Sequence, residues 1–224
     1  MPLSDDLRSE LAAIAPKRGC CRLAEISALF HSAGTIHLQG RDITHHSVSR
    51  RSQLGLAHIP NDRKREALVP TMTVAENLAL KVHDRRSVAR AGVVSCRALH
   101  TLSRQLISQF DVRTASEETP VATLSGGNQQ KVVLARELAI IQPKLVVATN
   151  PARGLDVAAT RFVHEQLLAR RTAGSGVLLI SSEFDEILAL SDQVAVIYNG
   201  RLTMTDFPQT TRDQIGRLMA GVRE

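Results

Sequence analysis

The sequence predicts an α/β fold with a mainly parallel sheet, and three observations support this prediction. Two continuous apolar runs, 144–149 and 176–181, have the length and composition of buried central strands. Leucine and isoleucine recur at three- and four-residue intervals within 74–81 and 97–110, which predicts amphipathic helices. A chain of 224 residues is long enough for one core with a smaller appended lobe.

Shorter patterns predict the remaining elements. Further strands are predicted at 34–39, 56–59, 193–198 and 201–206. Further helices are predicted at 22–30, 47–53, 157–170 and 211–220, with one more that ends at Leu190. Gly40-Arg41-Asp42 is predicted to turn, and Asn199-Gly200 to close a two-residue hairpin. Residues 10–15 fit either a short helix or a strand, and the pattern does not decide between them.

Composition narrows the function classes. The chain has one Tyr and no Trp, which argues against base-stacking platforms, so nucleic acid is not an expected partner. A formal charge of +6 suits anionic partners such as nucleotide phosphates or lipid headgroups. Three cysteines fit neither a disulfide framework nor a paired zinc site, which favours a reducing, cytosolic compartment. The sequence contains no apolar run long enough to span a membrane, and we expect no signal peptide and no metal site.

The most informative stretch is Leu-Ser-Gly-Gly-Asn-Gln-Gln-Lys, residues 124–131, followed by an apolar run to 141. Ser125 is a good N-cap, and Gly126 and Gly127 keep side chains away from the first helical turn. Backbone N–H groups and the positive end of the helix are then open to an anion of phosphate size. An ordinary capped helix after a Gly-Gly turn is the alternative interpretation of Ser-Gly-Gly alone.

The whole octet resembles the signature loop of the ABC-transporter ATPases, and its Asn-Gln-Gln-Lys ending resembles the second cassette of the fused sugar and nucleoside importers. This resemblance implies a P-loop NTPase-like fold with a mainly parallel core, an antiparallel β segment and an inserted helical subdomain. We expect a single domain over 1–224, with a core lobe at about 1–70 and 141–224 and a helical lobe at about 71–140. Ser125, Gly126, Gly127 and Gln129 are then expected to bind nucleotide in trans.

The place of the P-loop is taken by residues that depart from the family pattern G-x-x-x-x-G-K-[ST]. In this sequence the remnant consists of Lys17, Arg18, Gly19, Cys20 and Cys21. Only the glycine survives, and no hydroxyl stands where the family holds Mg²⁺. The two basic residues can attract phosphate, or they are simply solvated, as charged loop residues usually are.

A loop and a segment after it resemble the family's link between the core and the helical lobe. Pro60, Asn61 and Asp62 resemble a Q-loop of the Pro-Glu-Asp-Arg type, with Asn61 in place of the glutamate. A plain turn is the alternative. The segment 71–78 that follows resembles the opening of the helical lobe.

The Walker B position is also altered. The family strand ends Asp-Glu-Pro, whereas this chain has Thr149 and Asn150 before its proline. An amide cannot act as a general base, and loss of such a base costs on the order of 10²–10⁴-fold in rate. Asp156 resembles the D-loop aspartate and is also a candidate N-cap. Glu183 stands where most cassettes have a histidine, and Ser182 with Asp185 has capping-box spacing.

These motifs predict the nucleotide-binding subunit of an importer for sugars or nucleosides. It would lend its signature to a composite ATP site while its own site is degenerate. ATP, with Mg²⁺ only where a partner cassette supplies a site, would be the cofactors. The expected partners are a second cassette, transmembrane permease subunits and, indirectly, a solute-binding protein, at the cytoplasmic face of the cell membrane. The alternatives are a non-hydrolytic docking or assembly module and a truncated remnant of a two-cassette ATPase.

Overall fold

The computed structural model describes residues 24–26, 36–81, 89–90, 93–199 and 201–222. The described chain forms two compact units, which are treated separately below. One unit is Ser47–Ser182, and the other consists of the described residues on either side of it.

Strands and helices alternate along the described chain. The strands are β1 (Ala24–Ile26), β2 (Ile36–Leu38), β3 (Arg41–Asp42), β4 (Leu56–Ile59), β5 (Ala89–Arg90), β6 (Val93–Val94), β7 (Leu145–Thr149), β8 (Gly176–Ile180), β9 (Ala195–Tyr198) and β10 (Arg201–Met204). The α-helices are α1 (Val48–Gln53), α2 (Val74–Ala79), α3 (Cys96–Gln109), α4 (Gly126–Leu134), α5 (Val157–Thr172), α6 (Phe184–Leu190) and α7 (Arg212–Met219). A 3₁₀ turn covers Val121–Thr123, and π-helical turns cover Arg63–Ala67 and Ala135–Ala139.

The predicted parallel sheet lies in the unit Ser47–Ser182. Its strand order is β4-β7-β8, and both pairings are parallel. Ala57, Ile59, Val146 and Ala148 are inaccessible to solvent, as expected of central strands covered by helices. Parallel strands end at the same edge of a sheet, so the residues after β4, β7 and β8 meet there. The α/β fold class is thereby confirmed.

The helices of this unit begin at side-chain caps that the sequence carries. Thr73 and Glu76 form a capping box at α2, and Ser95 accepts a hydrogen bond from the Ala98 N–H at α3. Asn77 of α2 is fully buried and bonds both the N–H and the carbonyl of Val69. Each of these bonds satisfies a backbone group that the start of a helix or the adjoining loop would otherwise leave unpaired.

Buried charges join the parallel sheet to the helices. Glu137, 1% exposed, contacts Lys81 and accepts hydrogen bonds from Arg136 Nε at 3.1 Å and from the His58 N–H at 3.3 Å. Arg136 in turn donates to the Asn77 carbonyl at 3.2 Å. The π-helical turn that continues α4 therefore holds β4 and α2 by ionic hydrogen bonds.

In the other unit, β1, β2 and β3 form an antiparallel sheet, and β9 and β10 form an antiparallel hairpin. The hairpin pairs Tyr198 with Arg201, and Asn199 has the positive φ of 47° that a two-residue turn requires. Val194, Val196 and Ile215 form the centre of a small core to which α6 and α7 contribute. The predicted hairpin and terminal helix are confirmed.

Three local predictions in and around this unit are wrong. Residues 24–26 form β1 and not part of a helix, because backbone pairing with β2 outweighs their weak helical pattern. Arg41 and Asp42 form β3, so the turn lies at Gln39 and Gly40. Ser182 and Asp185 do not form a capping box: Glu183 is the N-cap of α6 and its side chain does not cap.

Candidate functional site

The signature helix α4 begins as its sequence predicts. Ser125 has extended backbone angles, and its Oγ accepts hydrogen bonds from the Asn128 N–H at 3.4 Å and from Asn128 Nδ2 at 3.0 Å. The Asn128 Oδ1 accepts from the Arg113 N–H at 2.8 Å, which fixes the side-chain amide. Ser125 is exposed and two partly exposed glycines follow it, so the helix places no side chains of its own over its positive end.

The glutamines of the octet face inward. Gln129 is 5% exposed and donates through Nε2 to the Val121 carbonyl at 3.2 Å. Gln130 is 2% exposed and donates to the Pro151 carbonyl at 2.8 Å. The structure therefore places Gln129, a predicted nucleotide ligand, behind the helix end, where it supports the preceding turn.

Lys131 completes the octet and fixes α4 to its neighbours. Its Nζ donates to Asp111 Oδ2 at 2.6 Å and to the Asp111 carbonyl at 2.7 Å. The same ammonium lies 4.9 Å from the centroid of the Phe162 ring on α5. The hydrogen bond from Lys131, together with the positive charge of that ammonium, lowers the pKa of the Asp111 carboxyl.

A carboxylate holds the turn that leads into α4. Glu117 Oε1 accepts from Arg104 Nε at 2.8 Å and lies 3.0 Å from His100 Nδ1. Its backbone carbonyl accepts from the Ala75 N–H at 2.9 Å. The hydrogen bond from Arg104, with smaller contributions from the backbone N–H of Glu117 itself and from His100, lowers the pKa of Glu117 to about 2. The loop before the signature is thus fixed to both α3 and α2.

Asn150 joins the ends of the three parallel strands. Its Oδ1 accepts from the N–H of Ser182 at 3.0 Å and from the Ser182 Oγ at 3.3 Å. Its Nδ2 donates to Asn61 Oδ1, which follows β4, at 3.0 Å. Its own N–H donates to the Ile180 carbonyl at 2.7 Å. The amides of Asn61 and Asn150, at the two positions where the resemblance implies glutamates, are therefore hydrogen-bonded to each other.

This arrangement does not fit Mg²⁺ at the end of β7. Both lone pairs of the Asn150 Oδ1 are used by Ser182, and no carboxylate stands at Thr149 or Asn150. Within the described ranges, no group of three or more His, Cys, Asp or Glu side chains is placed to hold a metal ion. Thr149 itself is the partly buried last residue of β7.

The acidic residues near the site act as helix caps. Asp62 Oδ1 accepts from the N–H groups of Lys64 and Arg65, at 3.1 and 3.2 Å, and so caps the π-helical turn Arg63–Ala67. Asp156 caps α5 by accepting from the Ala159 N–H at 2.8 Å. Pro60 is buried at the end of β4. The N-cap prediction for Asp156 is confirmed.

Arg63, which sequence reasoning did not select, lies at the signature. Its Nη1 donates to the Arg153 carbonyl at 3.2 Å, and a Cβ at Gly126 would lie 2.7 Å from its Nη2. One side chain therefore contacts the loop after β7 and covers the first turn of α4. Its sequence signal was its place as the arginine of the segment that resembles a Q-loop of the Pro-Glu-Asp-Arg type.

Two groups of predicted site residues are not among the described residues of the unit Ser47–Ser182. Glu183 belongs to the other unit, where it begins α6. Lys17, Arg18, Gly19, Cys20 and Cys21 lie outside the described residues, as do residues 10–15. Among the described helices, none combines the length and apolar character of a membrane-spanning segment.

Comparisons with known proteins identify the family. The family model for ABC transporters matches residues 21–153, more than half of the chain. The guanosine import ATP-binding protein NupO of Bacillus subtilis is 42% identical over 190 residues, which are 84% of this chain and 37% of that protein. The ribose import ATP-binding protein RbsA 2 of Streptomyces coelicolor is 38% identical over 197 residues, 86% of this chain and 38% of that protein.

The fold has counterparts among solved structures. A dimeric ATP-binding cassette in a post-hydrolysis state, bound to ADP and phosphate, superposes with a TM-score of 0.61 at 16% identity. The match covers 76% of this chain and 72% of the cassette. The chain spans well under half the length of the curated relatives that it matches. Because the family model covers more than half of the chain, including the signature helix and the ends of β4 and β7, this chain belongs to the ABC transporter family.

Proposed function

We propose that this chain is the nucleotide-binding subunit, or the second half of one, of an importer for sugars or nucleosides. It contributes its signature to a composite ATP site in which a partner cassette holds the nucleotide and Mg²⁺. The observation that carries the proposal is the contrast between the start of helix α4 and the end of strand β7. The capped, exposed start of α4 is intact, whereas the end of β7 carries a bonded amide and no carboxylate.

Ser125, Gly126 and Gly127 then stabilise the terminal phosphate electrostatically, as preorganised N–H groups do in other enzymes. Gln129 supports them from behind. The chain's own site, with Lys17 to Cys21, Thr149, Asn150 and Glu183, binds nucleotide weakly and without turnover. Asn61, Asp62 and Pro60 face the permease, and Asp156 faces the partner cassette. The division into a core lobe (about 1–70 and 141–224) and a helical lobe (about 71–140) belongs to this proposal.

The names of the relatives support the solute class, since one is a guanosine and one a ribose import protein. The subunit lies in the cytoplasm, on the inner face of the cell membrane, where permease subunits hold it. A solute-binding protein delivers the solute on the other side.

The test compares the ATPase rate of three samples: the chain alone, a partner cassette with an intact P-loop, and their mixture. The chain alone is expected to show no turnover above background, and the mixture to exceed the partner alone. Ser125→Ala is expected to lower the mixture's rate on the order of 10²-fold, because an oxyanion donor is lost. Brisk turnover by the purified chain contradicts the proposal.

Ser95→Ala is the matched control. Ser95 is also an exposed N-cap serine, and its loss costs the same cap energy of about 1 kcal/mol at α3. It is expected to leave the mixture's rate unchanged. If Ser125→Ala also leaves the rate unchanged while the complex still forms, the chain acts as a docking or assembly module. The neutral Asn61–Asn150 pair at the strand ends would suit such a module, which needs no catalytic carboxylate.

A further inference from the structure

We propose that Asn128 is a positioning residue that leaves the Ser125 hydroxyl with only its proton to offer, so that Ser125 meets an anionic ligand as a hydrogen-bond donor. The ligand is the terminal phosphate of a nucleotide that a partner cassette presents, and this identity rests on the proposed function. Asn128 does not itself contact the ligand but acts through Ser125. Both residues lie in the unit Ser47–Ser182.

The first support is the number of hydrogen bonds that Ser125 accepts. A serine oxygen has two acceptor lone pairs and one O–H donor. Asn128 directs two donors at this one oxygen, its backbone N–H at 3.4 Å and its side-chain Nδ2 at 3.0 Å. With both lone pairs engaged, the hydroxyl can only donate to any further partner. Among the described residues no acceptor takes the Ser125 proton, so that proton is available to a ligand.

The second support is the fixed direction of the Asn128 amide. A free asparagine can turn its side chain over and present Oδ1 in place of Nδ2, which would reverse the hydrogen bond with Ser125. Here Oδ1 accepts from the Arg113 N–H at 2.8 Å. A backbone N–H cannot accept a hydrogen bond, so the turned-over amide would set two donors against each other. The bond from Arg113 therefore decides that Nδ2 faces Ser125.

The third support is a second anchor on the segment that carries Arg113. Lys131 follows Asn128 by one helical turn on the same face of α4, and its Nζ donates to the Asp111 carbonyl at 2.7 Å and to Asp111 Oδ2 at 2.6 Å. Val112, between the two anchored residues, is only 6% exposed. Residues 111–113 are therefore held against α4, and the Arg113 N–H stays where it orients Asn128.

A hydroxyl that can only donate suits an acceptor without protons. The outer oxygens of an ionised phosphate accept hydrogen bonds and offer none, so a serine that turned its lone pairs toward them would repel the ligand. Preorganised donors stabilise developing negative charge because they do not have to reorient during the reaction. Asn128 thereby contributes to electrostatic stabilisation without touching the phosphate.

The first experiment tests the hydrogen bond in the full chain alone. Exchange of the side-chain amide protons with solvent is followed by NMR for Asn128 and for Asn199, an asparagine in an exposed turn. We expect the bonded Asn128 proton to exchange about tenfold more slowly than those of Asn199, and Ser125→Ala to remove the difference. Ser95→Ala, at another N-cap serine, should retain it. Exchange at Asn128 that Ser125→Ala leaves unchanged overturns the proposal.

The second experiment reverses the hydrogen bond and measures the ATPase rate of the mixture with a partner cassette. In Asn128→Asp an oxygen replaces Nδ2, so Ser125 has to turn its proton inward. We expect the rate to fall on the order of 10²-fold, as in Ser125→Ala, because the same donor is lost. The melting temperature of the chain should not fall, since an aspartate in the first turn favours the helix. An unchanged rate in Asn128→Asp refutes the role of Asn128.

A double variant separates an effect through Ser125 from repulsion between the new carboxylate and the phosphate. If Asn128 acts through Ser125, adding Asn128→Asp to Ser125→Ala changes the rate by no more than about twofold. A further loss beyond that means that the added charge acts directly on the ligand, which contradicts the proposal.

The two experiments also separate this inference from the proposed function. If exchange at Asn128 depends on Ser125 but the wild-type chain never raises a partner's ATPase, the positioning of Ser125 stands and the proposed function fails. If the wild-type chain raises that ATPase and Asn128→Asp does so equally well, the function stands and the positioning role is wrong.

Discussion

Asn150 holds a backbone conformation that few side chains tolerate, with φ at 43°. Asparagine is favoured there because its short polar side chain bonds locally and reduces the cost of a left-handed backbone. The same side chain joins Asn61 to Ser182. A structural reason for asparagine therefore exists at this position, apart from any role in catalysis.

Asn150→Ala is expected to lower the free energy of unfolding by about 2–4 kcal/mol, since it loses the side-chain bonds and strains the backbone. Asn199→Ala is the control, because Asn199 also has positive φ, at 47°, in an exposed turn. It should cost only about 1–2 kcal/mol. Urea denaturation measures both, and equal losses would show that the Asn61–Asn150–Ser182 bonds contribute nothing.

At the scale of elements, the start of α4 depends on the loop before it. Glu117 connects that loop to α3 through Arg104 and to α2 through its backbone carbonyl. The carboxylate accepts the hydrogen bond from Arg104 and lies beside His100 Nδ1, so its protonation weakens both contacts together. Acid is therefore expected to loosen the approach to the signature.

The pKa of Glu117 falls from its ordinary value of 4.5 to about 2 on folding. Ionised Glu117 therefore stabilises the fold fully above pH 4.5, and this contribution is lost as the pH falls through about 2. Glu117→Gln should remove this part of the acid dependence of the melting temperature. Glu118→Gln, at the exposed neighbouring position, should retain it; identical acid profiles for the two variants would contradict the assignment.

Element types were largely predictable, because their signals are local. The apolar runs at β7 and β8 and the serine and aspartate caps of α4 and α5 act within a few residues, and the structure confirms them. β1 was missed because its strand character comes from pairing with β2 and not from its own pattern. Ser182 was misassigned for a similar reason: its hydroxyl bonds Asn150, 32 positions earlier.

At the scale of the molecule, one buried carboxylate connects separate layers of the unit Ser47–Ser182. Glu137 contacts Lys81, Arg136 and the backbone of β4, and Arg136 continues to α2. Such a network costs desolvation energy and is stable only when every partner is present. Loss of one member therefore affects sheet and helices together.

Glu137→Gln is expected to destabilise the protein by about 3 kcal/mol, because it leaves Arg136 buried without its counter-charge. Glu165→Gln removes the carboxylate of an exposed pair with Arg161 and should cost no more than about 0.5 kcal/mol. Thermal unfolding by circular dichroism measures the difference. Similar melting temperatures for the two variants would show that the network is not stabilising.

The candidate site was predictable only in part, because its contacts join residues that are far apart in the sequence. Its motifs are short and could be located along the sequence, but the contacts that join them are distant. Asn61 meets Asn150 across 89 positions, and Arg63 meets Arg153 across 90. Neither contact leaves a periodic or capping signal, so the amide pair and the placement of Arg63 emerged only from the three-dimensional arrangement.

The glycine at position 127 allows helices α4 and α5 to come into close contact. A methyl group at this residue would lie 3.0 Å from the Ala159 Cβ, so the first turns of α4 and α5 touch with almost no padding between them. Close-packed surfaces of this kind transmit displacement instead of absorbing it. A shift of the aspartate-capped start of α5 is therefore expected to move the signature turn with it.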